Sequence, residues 1–114
     1  MKKPIKKRKP TIPYTYIFLR KDLKPVYYII QAGHAIQEAA FAFGKPESMV
    51  PVHFTLFEVK NSVDLLKTAE HLERIGIKYK MFYEPDDETG YTAIATEPLI
   101  GKGKTFKKYK LFNW

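Results

Sequence analysis

Gln31, His34 and Glu38 follow one another at intervals of three and four residues. On an α-helix that spacing stacks the three side chains on one face. Tyr27, four residues before Gln31, extends the same stripe. An imidazole titrates near neutral pH, so His34 is a candidate general base, oriented by Glu38 or Gln31. As plain structure, the same histidine is a partly buried packing residue on a helix rich in Ala, Ile and Phe. A second candidate group is Glu84-Pro85-Asp86-Asp87-Glu88, with four carboxylates in five residues. Such a group can act as a base or hold a cation, and a solvated turn has the same composition. It lacks the regular oxygen spacing, central Gly and distal Glu of a helix-flanked calcium loop. His34, His53 and His71 fall in different elements without metal-ligand spacing, so no metal site is expected. Gly101-Lys102-Gly103-Lys104-Thr105 is wrongly spaced for a nucleotide-phosphate loop. No Gly-x-Ser-x-Gly nucleophile elbow is present.

These groups need elements to position them. Tyr14 to Leu19 is aromatic and β-branched in a near-continuous apolar run, which predicts a central strand covered on both faces. Arg20-Lys21-Asp22-Leu23-Lys24-Pro25 is a polar turn, with Asp22 expected to cap a following helix and Pro25 tolerated in its first turn. That helix is predicted to run to about Phe43, stopping near Gly44 and Pro46. Residues 52–59 form a second strand. Asn61 or Ser62 opens a second helix with Leu65, Leu66, Ala69, Leu72 and Ile75 as its apolar stripe, ending at Gly76. Residues 77–83 are a third strand, with Ile77, Tyr79, Met81 and Tyr83 opposite Lys78, Lys80 and Phe82. Residues 84–90 are an acidic turn, and 91–96 a fourth strand ended by Pro98. The pattern leaves open whether residues 101–114, basic with interleaved aromatics, dock as a strand or a short helix. Strands alternating with helices, in the order β-α-β-α-β-β, indicate a single α/β domain. The short link between the last two strands predicts a hairpin and so a mixed sheet.

The chain of 114 residues suffices for one core. It has no cysteine, which removes disulfides, thiolate nucleophiles and cysteine zinc sites. No apolar run is long enough to cross a membrane, and the lysines at the start are followed by no apolar core. A cytoplasmic protein is expected. The net charge is +8, and it is unevenly spread. Lys2, Lys3, Lys6, Lys7, Arg8 and Lys9 crowd one end, while Lys102, Lys104, Lys107, Lys108 and Lys110 crowd the other. All twelve acidic residues lie between the two ends. Basic ends on a mildly acidic body point to a polyanion held through its phosphates, although lysine-rich ends also serve solubility alone. Residues 1–13, with three prolines among the lysines, read as an extended basic arm whose removal should weaken such binding more than folding.

Four motifs in order also carry a family resemblance. The run Arg20-Lys21-Asp22-Leu23, continued by Gln31-Ala32-Gly33-His34-Ala35, resembles the Arg-x-Asp-Leu and Gln-x-x-His-Ala signature of type 2 peptidyl-tRNA hydrolases. Glu84-Pro85-Asp86 and Thr92-Ala93-Ile94-Ala95 resemble the second signature, in the form of a shortened, bacterial-type branch, and Phe106 to Leu111 fits that branch too. The similarity spans about residues 15–112. It implies a mixed four-stranded β-sheet flanked by α-helices on both faces. It further implies hydrolysis of the ester between a peptide and the 3′ end of tRNA, with no metal or organic cofactor. Carried over by position, the catalytic set is His34, Asp86, Thr92 and Gln31, with Asp86 or His34 as base. The expected substrate contacts are Arg20, Lys21, Asp22, Lys24, Tyr27, Glu38, Lys107 and Lys108. The chain departs from the family in lacking its Gly-Lys-Gly-Lys segment: Tyr27 stands four residues before Gln31, where the family has a lysine thought to act in catalysis. The alternative expectation is therefore a catalytically inactive module of the same fold that binds RNA or protein. No membrane partner is expected, and the aromatics near the C-terminus make a homodimer a further expectation.

Overall fold

Strand β1 (Tyr14–Arg20) is buried on both faces at the middle of the sheet. The computed structural model describes residues 12–46 and 51–114. Of the expected basic arm, residues 1–11 lie outside the described residues. After β1 come α1 (Tyr28–Phe43), β2 (His53–Val59), α2 (Ser62–Arg74), β3 (Tyr79–Glu84), β4 (Gly90–Thr96) and β5 (Lys110–Leu111). The strands lie side by side in the order β3-β4-β1-β2-β5. β1 and β2 run parallel over their whole length, from Tyr14 opposite His53 to Arg20 opposite Val59. β4 is antiparallel to both β1 and β3, so β1, β2 and β3 end at the same edge of the sheet. The two helices cross on opposite faces, as right-handed connections out to β2 and back to β3 require.

Each face has its own chemistry. Ile17, Leu19, Ala93 and Ala95 meet α1 through Ala32, Ala35 and Ala39, small residues that bring the helix close to the sheet. Tyr16, Phe18, Phe57 and Ile94 meet α2 through Leu65, Ala69 and Leu72. The amide carbonyl of Asn61 accepts the Asp64 N–H at 3.0 Å and so starts α2. Gly76, with φ +75°, turns the chain after it.

Four sequence expectations change. The sheet has five strands instead of four, because residues 110–111 pair antiparallel with Phe57 and Glu58 of β2. Phe106, buried under Tyr16 at 4.3 Å between ring centroids, holds the segment that delivers β5. The edge of β2 that would otherwise be unpaired is thereby partly closed. Asp22 does not cap α1, whose first turn has no side-chain cap and is preceded by a 3-10 turn at Pro25–Tyr27. Asp22 instead pairs with Arg20. β3 begins and ends later than expected, so Glu84 is its last residue and not part of the turn. Phe82, grouped with the outward lysines, packs against α1. Among the described residues no helix is long and apolar enough to cross a membrane.

Candidate functional site

A cleft of about 690 Å³ opens where β1 and β3 end and α1 begins. In parallel arrangements the strand ends are where helix starts and turns converge, which makes this edge the usual place for a ligand. Its walls are the Arg20–Lys24 turn, Tyr27, Ile30 and Gln31 of the helix side, and Glu84 with the acidic turn through Thr89.

The centre is a hydrogen-bonded chain across three elements. Thr92 Oγ1 of β4 donates to Gln31 Oε1 of α1 at 2.7 Å. Gln31 Nε2 donates to Glu84 Oε2 of β3 at 3.1 Å. Thr92 is fully buried and Gln31 nearly so, while Glu84 is only half-buried. The chain thus leads from the core to the cleft. A β-bulge makes it possible. Phe82 pairs with Ala93 and Tyr83 pairs with Tyr91, so Thr92 is the extra residue of β4. Strict alternation would turn Thr92 to the α2 face with Ile94; the bulge turns it to α1.

Glu84 also orders the acidic turn. Its Oε1 accepts the Asp86 N–H at 3.3 Å. The two carboxyl groups titrate apart. The hydrogen bond from Gln31 holds Glu84 below its ordinary range, helped by the Asp86 backbone. The hydrogen bond to Glu84 and the charge of that carboxylate push Asp86 above its ordinary range. One site therefore holds a fixed anion next to a carboxyl group whose basicity is increased, which is the usual way to separate acid and base roles. Asp87 and Glu88 both have φ +54°, a left-handed backbone uncommon without glycine.

Arg20 clamps this turn in place. It meets both oxygens of Asp22, Nε to Oδ1 at 2.9 Å and Nη2 to Oδ2 at 3.0 Å. Its Nη1 donates to the carbonyls of Thr89 at 2.7 Å and Tyr91 at 3.1 Å. The guanidinium is thus occupied by the protein itself, and the Arg20–Asp22 pair is a bidentate fork of the geometrically specific kind.

The remaining expected residues are dispersed. Tyr27 and Lys24 line the cleft. His34 is half-buried, its ring stacked on Phe82 at 4.2 Å with a 10° tilt, one turn further along α1. Glu38 is exposed beyond it. Lys21 turns away from the cleft, with its ammonium 4.3 Å above the Phe112 ring and 3.7 Å from Glu58. Lys107 and Lys108 are exposed in the C-terminal segment, and Lys108 lines a groove beside α2. Glu84 belongs to the acidic group singled out from the sequence but not to the catalytic set carried over by position, although its alternation with Phe82 along β3 puts it on the α1 face. Among the described residues no group of three histidine or carboxylate side chains is arranged to hold a metal ion. No protein-family model matches the chain, and no curated protein matches it either.

Proposed function

We propose that this chain has the type 2 peptidyl-tRNA hydrolase fold and hydrolyses the ester between an acyl or peptidyl group and the 3′ end of tRNA. The observation that carries the reading is the Thr92–Gln31–Glu84 chain ending beside Asp86 at the mouth of the cleft. Asp86, with its raised pKa, takes the proton of the attacking water as that water adds to the ester carbonyl. Glu84 stays ionised and keeps Asp86 basic; Gln31 and Thr92 are positioning residues that fix Glu84. The proton then passes to the departing 3′ oxygen. Asp86 serves better than His34, because Asp86 lines the cleft and His34 is stacked on Phe82 outside its lining.

A second reading is a module of the same fold that binds tRNA without turnover. Tyr27 favours it, since its ring lines the cleft where the resemblance puts a lysine. The test is release of peptide from purified peptidyl-tRNA. Wild type is expected to turn over, and Asp86→Ala to lose about 100-fold or more, the usual contribution of a positioned base. Unchanged turnover in Asp86→Ala would remove the assignment. No turnover by the wild type, with tRNA still tightly bound, would leave the second reading.

A further inference from the structure

The cleft is strongly anionic: Asp22, Glu84, Asp86, Asp87 and Glu88 line it, against Arg20 and Lys24, and Arg20 is already paired. A neutral ester fits among these carboxylates, but the phosphates of a nucleic acid do not. Phosphates need a separate cationic path, and one begins at the rim. Asp22 is shared between the cleft and a smaller groove lined by Lys21, Glu58, Lys60 and Lys110. Glu58, Lys60 and Lys110 are in turn shared with a wide groove of about 610 Å³ beside α2, where Lys67, Arg74 and Lys108 add their charges.

We propose that this connected groove, from Lys21 and Lys60 through Lys110 to Lys108, Lys67 and Arg74, is the RNA-backbone track of the protein. The proposal rests on the ester-hydrolase reading for its direction only: a 3′ end seated in the cleft sends its preceding phosphates along the track. Two of the acidic groups on the path are already neutralised. Asp22 is bound to Arg20, and Glu58 lies between Lys21 at 3.7 Å and Lys110 at 3.6 Å. Asp64 and Glu70 are the other carboxylates in its wall. The fields of Lys108 and Arg74 converge on His71, where they add to burial in depressing the imidazole pKa. The His71 Nδ1 lies 2.7 Å from the Tyr109 hydroxyl, which leaves the other ring nitrogen for a ligand. An RNA suits the path better than an acidic polypeptide, because aromatic rings stand at its Lys21 end. Lys21 lies over Phe112, and Trp114, three-quarters exposed, packs edge-on to Phe112 at 4.9 Å. Lysines beside an exposed indole are what a nucleotide chain uses, phosphate by phosphate and base by base.

The test is tRNA binding by fluorescence anisotropy across a salt series, comparing wild type with the triple variant Lys67→Gln/Arg74→Gln/Lys108→Gln. All three side chains are exposed, and thermal unfolding checks that the variant folds. If it does not, the pair Lys67→Gln/Lys108→Gln replaces it. The slope of log affinity against log salt is expected to flatten by about 0.7–0.9 for each cation removed. Equal slopes for variant and wild type would overturn the track, and so would wild-type binding that ignores salt. Poly-glutamate competing as well as unlabelled tRNA, charge for charge, would overturn the assignment to RNA. The readout is binding alone, so a wild type that binds along the track but releases no peptide would refute the hydrolase reading and leave the track standing.

Discussion

Glu84 and Asp86 show how one residue sets the chemistry of another. Because the Glu84 carboxylate raises Asp86, Glu84→Gln is expected to return the Asp86 pKa downward, toward the ordinary aspartate value of about 4. Carbon-13 NMR of the side-chain carboxyls across a pH series reads this directly. In the hydrolase reading, the acidic limb of kcat/KM moves to lower pH in the same variant. Gln31→Leu should act in the opposite direction on Glu84, raising it by removing the hydrogen bond that holds it down. The sign for stability follows: a carboxyl group depressed in the folded state stabilises above its unfolded pKa, and loses that contribution as pH falls through its folded pKa. Behind this pair, Thr92→Val keeps the shape of a fully buried side chain but leaves Gln31 Oε1 without its donor. Leaving a buried acceptor unsatisfied costs roughly 1–3 kcal/mol, measurable by urea unfolding. Combining it with Gln31→Leu should recover part of that loss, since both ends of the bond are then gone.

At the scale of elements, the C-terminal segment is part of the body. Phe106 is fully buried among Tyr16, Phe18 and Phe57, and β5 closes onto β2. Phe106→Ala is therefore expected to destabilise the whole domain by about 3–5 kcal/mol, the range for an aromatic removed from a core. A loss confined to local fraying of residues 101–114, seen by hydrogen exchange with global stability unchanged, would contradict this. Asn61→Ala tests a smaller contribution: its cap of α2 is worth about 1 kcal/mol. The start of α1 has no such cap: Tyr27 stands at the capping position, and Asp22, five residues earlier, is paired with Arg20. The same pairing ties the β1–α1 turn to the carbonyls of Thr89 and Tyr91, so the two walls of the cleft are fixed to each other.

Across the whole molecule, charge is separated by surface. Carboxylates gather at the cleft, and lysines gather along the adjoining strand-end edge and beside α2. With a net charge of +8, association with a polyanion should be steered, and its on-rate should fall steeply between low and physiological salt. Stopped-flow mixing with tRNA reads that rate. A salt-independent on-rate would show that the net charge plays no part in encounter.

Much of this architecture was legible from local pattern. The apolar run of β1, the alanine-rich α1, the Asn61 cap and the hairpin between β3 and β4 follow from side-chain period and turn chemistry, which are properties of neighbouring residues. The three-and-four spacing of Gln31, His34 and Glu38 was equally legible as a shared helical face, but not what that face meets. Tertiary packing divided it: Gln31 is fixed to Thr92 and Glu84, His34 is stacked on Phe82, and Glu38 is exposed. The bulge at Thr92 is a mismatch in length between two strands, and neither strand alone specifies it. The placing of Lys108 beside α2, away from the cleft, depends on the burial of Phe106 under Tyr16, a contact between residues ninety positions apart. The sequence by itself thus determined the elements and the types of group available for chemistry. Only the tertiary structure decided which of those groups meet, because long-range packing and register fix distances that local periodicity does not contain.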